Sequence, residues 1–245
     1  MNHLVDSIPT LMGIALLVAL AAIVLRYAGA SGWWVPAVAV LRGSLQLAAL
    51  SIVLTGVITD PLWVGIALAV MFSVASTTSA RRISWGWRRF GIIASAMLAG
   101  VASTLVIIFA SGAVDLAPRY LLALGGILIG NSMTVATLAA RRVYESIDEH
   151  WDEVEGRFAL GATPRQATAG FATRAIGEAL VPSTDQTKTT GLVTLPGAFI
   201  GAIFGGLDPI EAGRFQIVVL AGILAAGAIT SVIVAHGLAP VTQRP

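Results

Sequence analysis

The sequence predicts an all-α, polytopic membrane protein of about seven transmembrane helices, with a cytoplasmic helical hairpin between helices five and six. Three observations carry this reading. Only 11% of the 245 residues are charged and 56% are hydrophobic, whereas soluble domains carry about 25% charged residues. The mean hydropathy is +0.85. The apolar residues also fall into runs close to the roughly 20 residues that cross a bilayer core. The spans use up the chain, so residues 1–245 read as a single transmembrane domain with no separate soluble catalytic part.

Spans are placed at about residues 8–25, 36–58, 62–80, 91–111, 120–140, 189–206 and 215–236. Ala28-Gly29-Ala30 after the first run mimics a signal-peptidase site. The preceding segment, however, has an acidic Asp6, no basic residue and an apolar stretch too long for a signal peptide. In the second span, Arg42-Gly43-Ser44 follows Trp33-Trp34-Val35-Pro36 and predicts an interfacial elbow. Residues 36–41 would lie partly along the surface, with the tryptophans at headgroup level and Arg42 snorkelling to the headgroups. Trp85 and Trp87 between spans three and four are further interface anchors. The pairs Gly126/Gly130 and Gly201/Gly205 permit close helix contact.

Loop charges set the orientation. Arg26, then Arg81, Arg82, Arg88 and Arg89, then Arg141 and Arg142 follow spans one, three and five, while the alternate loops hold Asp60, Asp115 with Arg119, and Asp208, Glu211 and Arg214. With the cell's inner (plasma) membrane taken as the bilayer, the positive-inside rule then gives an N-terminus outside and a cytoplasmic C-terminus. The net charge is only +2 and the basic residues are scattered, so topology explains them better than nucleic acid does. With no cysteine and with His3, His150 and His236 far apart, disulfides, iron–sulfur clusters and thiolate metal sites are excluded.

Eight of the 13 acidic residues lie between Arg141 and Lys188, so the hairpin, about 141–182, faces water. Val143, Ile147, Trp151, Val154 and Phe158 recur at helical spacing on one face of a helix continuing out of span five. Glu145, Asp148, Glu149, Asp152, Glu153 and Glu155 occupy the other face. Leu160-Gly161-Ala162-Thr163-Pro164 then stops this helix and starts a second that runs to Pro182. Gly161 suits the left-handed C-terminal position, Thr163 caps with Gln166 in a capping box, and Pro164 opens the next helix. The hairpin is either a solvated linker or a docking element. The apolar stripe with Trp151 and Phe158, which needs a protein or membrane partner outside the bilayer, favours docking.

These residues resemble a known group of proteins. Glu155 ahead of Leu160-Gly161-Ala162-Thr163-Pro164 is similar to the coupling loop of ABC transporter permeases, a Glu-Ala-Ala segment followed by Gly that docks into the ATPase subunit. Gly156-Arg157 stands in place of Ala-Ala, and Phe171 where Ile is usual. A narrower resemblance is to the Fet-type iron-export ABC permeases, related to plant aluminium-tolerance half-transporters. It rests on Ile129-Gly130-Asn131-Ser132-Met133, on Ala159 to Pro164, on Gly191-Leu192-Val193-Thr194-Leu195-Pro196-Gly197 continuing to Gly205-Gly206-x-Asp208-Pro209, and more weakly on Arg42-x-x-x-Gln46-Leu47. The resemblance implies a seven-helix permease, a homodimer with two separate ATPase subunits, and a metal-ion cargo, iron first. ATPase coupling would fall to Trp151, Glu155, Phe158, Gly161, Ala162, Thr163 and Pro164.

No nucleotide motor is present in the chain itself. A P-loop needs Gly before Lys, and the only lysine, Lys188, follows Thr187. The chain is therefore expected to need no cofactor of its own, with ATP and Mg bound by the partner, and to be a non-catalytic subunit. Polar groups inside spans are the candidate pathway residues. Asn131 and Ser132, beside Met133 in span five, either bond between helices or line a pathway, and the family match favours the pathway. Asp185 and Lys188, three apart at the entry to span six, form a gate or an interfacial salt bridge. Arg42 and Gln46 are one turn apart, Gln216 starts span seven, and Pro196 before Gly197 invites a kink. Iron(II) would want His, carboxylate or thiolate clusters. None is readable, so the metal site is unknown and iron follows from the resemblance alone. Two competing readings are a self-contained secondary carrier or channel, and a membrane-anchored interaction subunit without cargo.

Overall fold

The computed structural model describes residues 2–57 and 60–245, with side chains from 9 to 51 and from 60 onward. The described chain is helical, as the sequence predicts, and divides into two compact units at Ile58. In the first unit α1 (Asn2–Tyr27) packs on α2 (Val35–Val57). The Arg26 guanidinium lies 5.2 Å from the Trp33 ring centroid and ties the end of α1 to the connecting turn. The expected elbow at Arg42-Gly43-Ser44 is absent, since α2 runs continuously through these residues. One glycine in a long apolar helix costs only about 1 kcal/mol and does not break it. The expected end of this span at residue 58 lies outside the described residues.

The second unit contains α3 (Pro61–Ile83), α4 (Trp87–Ala110), α5 (Pro118–Glu149), α6 (Trp151–Ala159), α7 (Pro164–Thr189), α8 (Gly197–Phe204) and α9 (Pro209–Leu238). By length and composition, five helices of the described residues are able to cross a membrane: α1 from Pro9, α3, α4, α5 and α9. Asp60 and Asp208 cap α3 and α9 by accepting from the backbone N–H groups of Leu62 and Ile210, each followed by a proline at the first helical position.

Helix α5 is central and packs against α3, α4, α7 and α9. Its buried face, Leu124, Leu128, Ser132, Val135, Ala136, Ala139, Val143 and Ile147, follows helical spacing over the whole length. Small residues bring the helices close. A Cβ on Gly100 of α4 would lie 2.5 Å from the Ala226 carbonyl oxygen of α9, so only glycine allows these backbones to meet. Between α3 and α5, Thr137 donates to the Met133 carbonyl at 2.8 Å and shares a 3.0 Å hydrogen bond with Ser79, buried on both sides. The Gly126/Gly130 pair splits: Gly126 faces Met71, and Gly130 faces open space.

Contacts fix the relative directions. Leu128 closes over Gly222 and Val135 over Gly227, so α5 and α9 are parallel. Ile108 also meets Gly222 and Ile92 meets Gly237, which makes α4 antiparallel to α9. Leu180 meets Gly227, while Phe171 and Ala175 join Val143 and Ile147, so α7 climbs antiparallel to α5.

Four expectations are corrected here. The helix leaving span five does not run unbroken to the elbow, because His150 (φ −117°, ψ 33°) separates α5 from α6. The second hairpin helix does not stop at Pro182 but continues to Thr189. Pro182 is exposed, and so is Glu178, whose carbonyl loses its helical donor. Residues 189–206 are not one span: the chain unwinds over 190–196 and resumes as the eight-residue α8. The Thr189 carbonyl accepts from the N–H groups of Leu192, Val193 and Thr194, which folds the chain back, and Pro196 is the N-cap of α8, so its expected kink is a full break. Finally, the apolar stripe of the hairpin needs no outside partner. Val143, Ile147 and Val154 are fully buried against Ala167, Phe171, Ala172 and Ala175 of α7 and Ala235 at the end of α9, with Trp151 and Phe158 half-buried at the margin.

Candidate coupling hairpin and translocation groove

The hairpin is built as the local chemistry demands. Gly161 has φ +87°, a conformation that L side chains rarely adopt. Thr163 and Gln166 form the full capping box, with the Thr163 N–H donating to Gln166 Oε1 at 2.9 Å. Arg157, which stands where the general permease pattern has alanine, ties α6 to α7. It donates to the Ala167 carbonyl at 2.6 Å, pairs with Glu153, and lies 5.5 Å from the Phe171 ring centroid. The Trp151 indole donates to Glu155 at 2.7 Å, and its ring meets Phe158 edge-on at 6.4 Å. Leu160 at the tip is 89% exposed, and Gly161 and Thr163 beside it are exposed as well. Ala162 and Pro164 are half-buried. Asp148 of α5 pairs with Arg244, whose pKa is raised above its ordinary value by that hydrogen bond and charge.

Above the hairpin, α5 and α7 each carry exposed polar side chains. Nearest the hairpin, Arg142 pairs with Glu178 at 3.3 Å and with Glu145 at 3.1 Å. Two turns above Glu178, Lys188 donates to Asp185 at 3.4 Å, both side chains being more than 60% exposed. Opposite on α5 are exposed Gly130 and Thr134 and half-buried Asn131, whose amide donates to the Ile127 carbonyl at 2.9 Å. Because Leu180 and Val135 share a level, a rise of about 1.5 Å per residue along the antiparallel helices brings Asp185 to roughly the level of Asn131. Asn131 lies 13 residues from the Pro118 end of α5, or about 20 Å, well inside a core of about 30 Å. The break at 190–196 lies a turn or two beyond.

The structure does not gather every candidate into this groove. Ser132 is fully buried on the core face of α5, and its hydroxyl has no partner among the described residues. Gln216 is 5% exposed with Oε1 unpartnered, and Met133 packs on the core. Arg42 and Gln46 belong to the first unit, where both are exposed on one face of α2. Pro196 lies at the break. No group of three or more His, Cys, Asp or Glu side chains comes together among the described residues. Sequence reasoning missed Arg142, Glu178 and Arg157; only Arg157 carried a signal, as a charged residue in a position where the pattern has a small one.

The fold and these sites define a multi-pass helical membrane protein with a charged hairpin on one end of its bundle. The chain belongs to the family described as Uncharacterised protein family (UPF0014), which matches residues 8–240. It is 36% identical to UPF0014 membrane protein STAR2 of Oryza sativa subsp. japonica, over 80% of this chain and 69% of the relative. It is 34% identical to Protein ALUMINUM SENSITIVE 3 of Arabidopsis thaliana, over 89% and 81%. It is 32% identical to Probable iron export permease protein FetB of Escherichia coli (strain K12), over 58% and 54%. No solved structure matches the chain.

Proposed function

We propose that the chain is the permease subunit of an ATP-driven ABC transporter that exports iron or another metal ion. A separate ATPase subunit binds ATP and Mg and drives it, and two copies of the chain pair across the bilayer of the inner membrane, N-terminus outside and C-terminus cytoplasmic. The observation that carries this reading is the continuity of α7. Its first turn follows the capped elbow at Thr163 and Pro164, and its last turns carry the exposed Asp185–Lys188 pair, so one helix links the tip of the hairpin to the polar residues beside the break at 190–196. Movement imposed at Leu160 to Pro164 passes along this single helix to Asp185 and Lys188, with Pro182 removing one helical hydrogen bond on the way. The chain then acts without catalytic residues, as the printed name of its Escherichia coli relative, a permease, also supports.

The test is to co-express the chain with a candidate ABC ATPase subunit from the same organism and measure ATP hydrolysis against a series of metal ions. Expected is copurification of the two subunits and hydrolysis stimulated by iron(II) or another metal. Copurification and activity that survive scrambling of residues 155–164 would overturn the reading.

A further inference from the structure

We infer that the break between α7 and α8 is a water-filled, oxygen-lined site for a hard cation partway across the membrane. This deepens the permease reading and rests on it for the identity of the cargo. The first reason is the backbone. Helices span bilayers because they satisfy every main-chain polar group internally, and irregular chain at membrane depth occurs only where it is buried in protein or lines a watery cavity. Here the carbonyls of Gly191, Leu192 and Val193 accept no hydrogen bond among the described residues, and residues 191–195 are exposed.

The second reason is charge. Asp185 and Lys188 are exposed side chains at the level of Asn131, and ionised groups on a lipid-facing surface at that depth are strongly disfavoured. Water on this side of α7 removes both difficulties at once. Discontinuous helices whose unwound carbonyls face the middle of a membrane are a recurrent way of holding ions.

The donors define the ligand. Around the break stand the Asp185 carboxylate, the hydroxyl oxygens of Thr189 and Thr190, and the free carbonyls. The threonine hydroxyls donate back to the carbonyls of Asp185 and Gln186, at 2.9 and 2.7 Å, which leaves their lone pairs unused. Sulfur and imidazole are absent from this segment, so the set suits a hard, oxygen-seeking cation. Lys188 holds the carboxylate when no cation is present and must yield it on binding. A single carboxylate makes the site weak, as a transfer site has to be.

The protein has no cysteine, so single-cysteine variants of the full chain in liposomes report directly. Gln186→Cys and Leu192→Cys are reacted with a charged methanethiosulfonate. Val106→Cys serves as the lipid-facing reference, because Val106 is 65% exposed on α4 near Ile108, which shares a level with Leu128. Expected is labelling at 186 and 192 at least about tenfold faster than at 106, and slowed by manganese(II). The slowing should vanish with added Asp185→Asn and occur at lower manganese with added Lys188→Gln. Equal rates at the three positions would refute the water-filled site; fast labelling indifferent to manganese, or protection unaltered by Asp185→Asn, would refute the cation site. No ATPase takes part, so a failed permease reading, seen as lost copurification, is distinguishable from either result.

Discussion

Arg142 of α5 and Glu178 of α7 form an ion pair 3.3 Å apart, where the hairpin meets the bundle, and both side chains are about half exposed. Exposed pairs contribute only about 0–1 kcal/mol to stability, so this one is better placed to set the register of α7 than to hold the fold. Glu178→Gln is therefore expected to leave the thermal midpoint of the purified protein within a few degrees of wild type while weakening metal-stimulated ATP hydrolysis by the complex. Restoring the pair in reverse, with Arg142→Glu and Glu178→Arg together, should recover hydrolysis. Equal loss in the single and the reversed double variant would show that register is not what the pair provides.

Gly161 is the turn on which the hairpin depends. Its φ of +87° lies in the left-handed region, and placing an L side chain there costs about 1–2 kcal/mol. Open space surrounds it, so Gly161→Ala brings backbone strain without a clash. Helix content by circular dichroism should be unchanged, and binding of the ATPase should weaken. Gly156→Ala, equally open and inside α6, is the matched control and should bind normally.

The contrast between what the sequence announced and what it hid has a physical basis. The elbow was legible because Gly161, Thr163, Pro164 and Gln166 fall within six consecutive residues, and local chemistry reads directly. The break at 190–196 was not, because Leu192, Val193 and Leu195 make the segment apolar enough to merge with α8 into what reads as one span. Asp185 and Asn131 could not be brought to one level from sequence, since that depends on the antiparallel register of α5 and α7. Ser132 looked like its neighbour Asn131, but helical geometry turns successive residues by about 100°, which carries its hydroxyl into the core. The apolar stripe was correctly found and wrongly given to an outside partner, because nothing in residues 143–158 reveals that α7 returns to cover them.

Arg157 makes three contacts that a smaller residue cannot: the Ala167 carbonyl, Glu153 and the Phe171 ring. Helix α6 has nine residues and one fully buried side chain, Val154, and an isolated helix this short is marginal in water. Arg157→Ala should therefore loosen α6 from α7 and speed amide hydrogen exchange across residues 151–160 while the exchange of α4 and α9 stays unchanged. Arg157→Lys keeps the charge and the pair with Glu153 but loses the planar stack on Phe171, and should give an intermediate rate. Uniformly slow exchange in both variants would mean that the buried stripe alone holds the hairpin.

The close approach of α4 and α9 supplies the sharpest test of the packing. Gly100→Ala would put a methyl group 2.5 Å from the Ala226 carbonyl oxygen and 2.6 Å from the Thr230 hydroxyl. The carbonyl belongs to a helix backbone and cannot step aside, so the two helices must separate. Overpacking of this kind typically costs about 1–3 kcal/mol, against a gain of at most about 1 kcal/mol from replacing a helical glycine by alanine. The balance is destabilising, and a lowered thermal midpoint in detergent is expected. Gly130→Ala on α5 introduces the same methyl into open space, so only the propensity gain applies and the midpoint should hold or rise. Thr230→Ala removes the hydroxyl that the new methyl would meet at 2.6 Å but leaves the Ala226 carbonyl in place, so in the Gly100→Ala background it should recover only part of the loss. A Gly100→Ala protein as stable as wild type would mean that the helices cross farther apart than this packing requires.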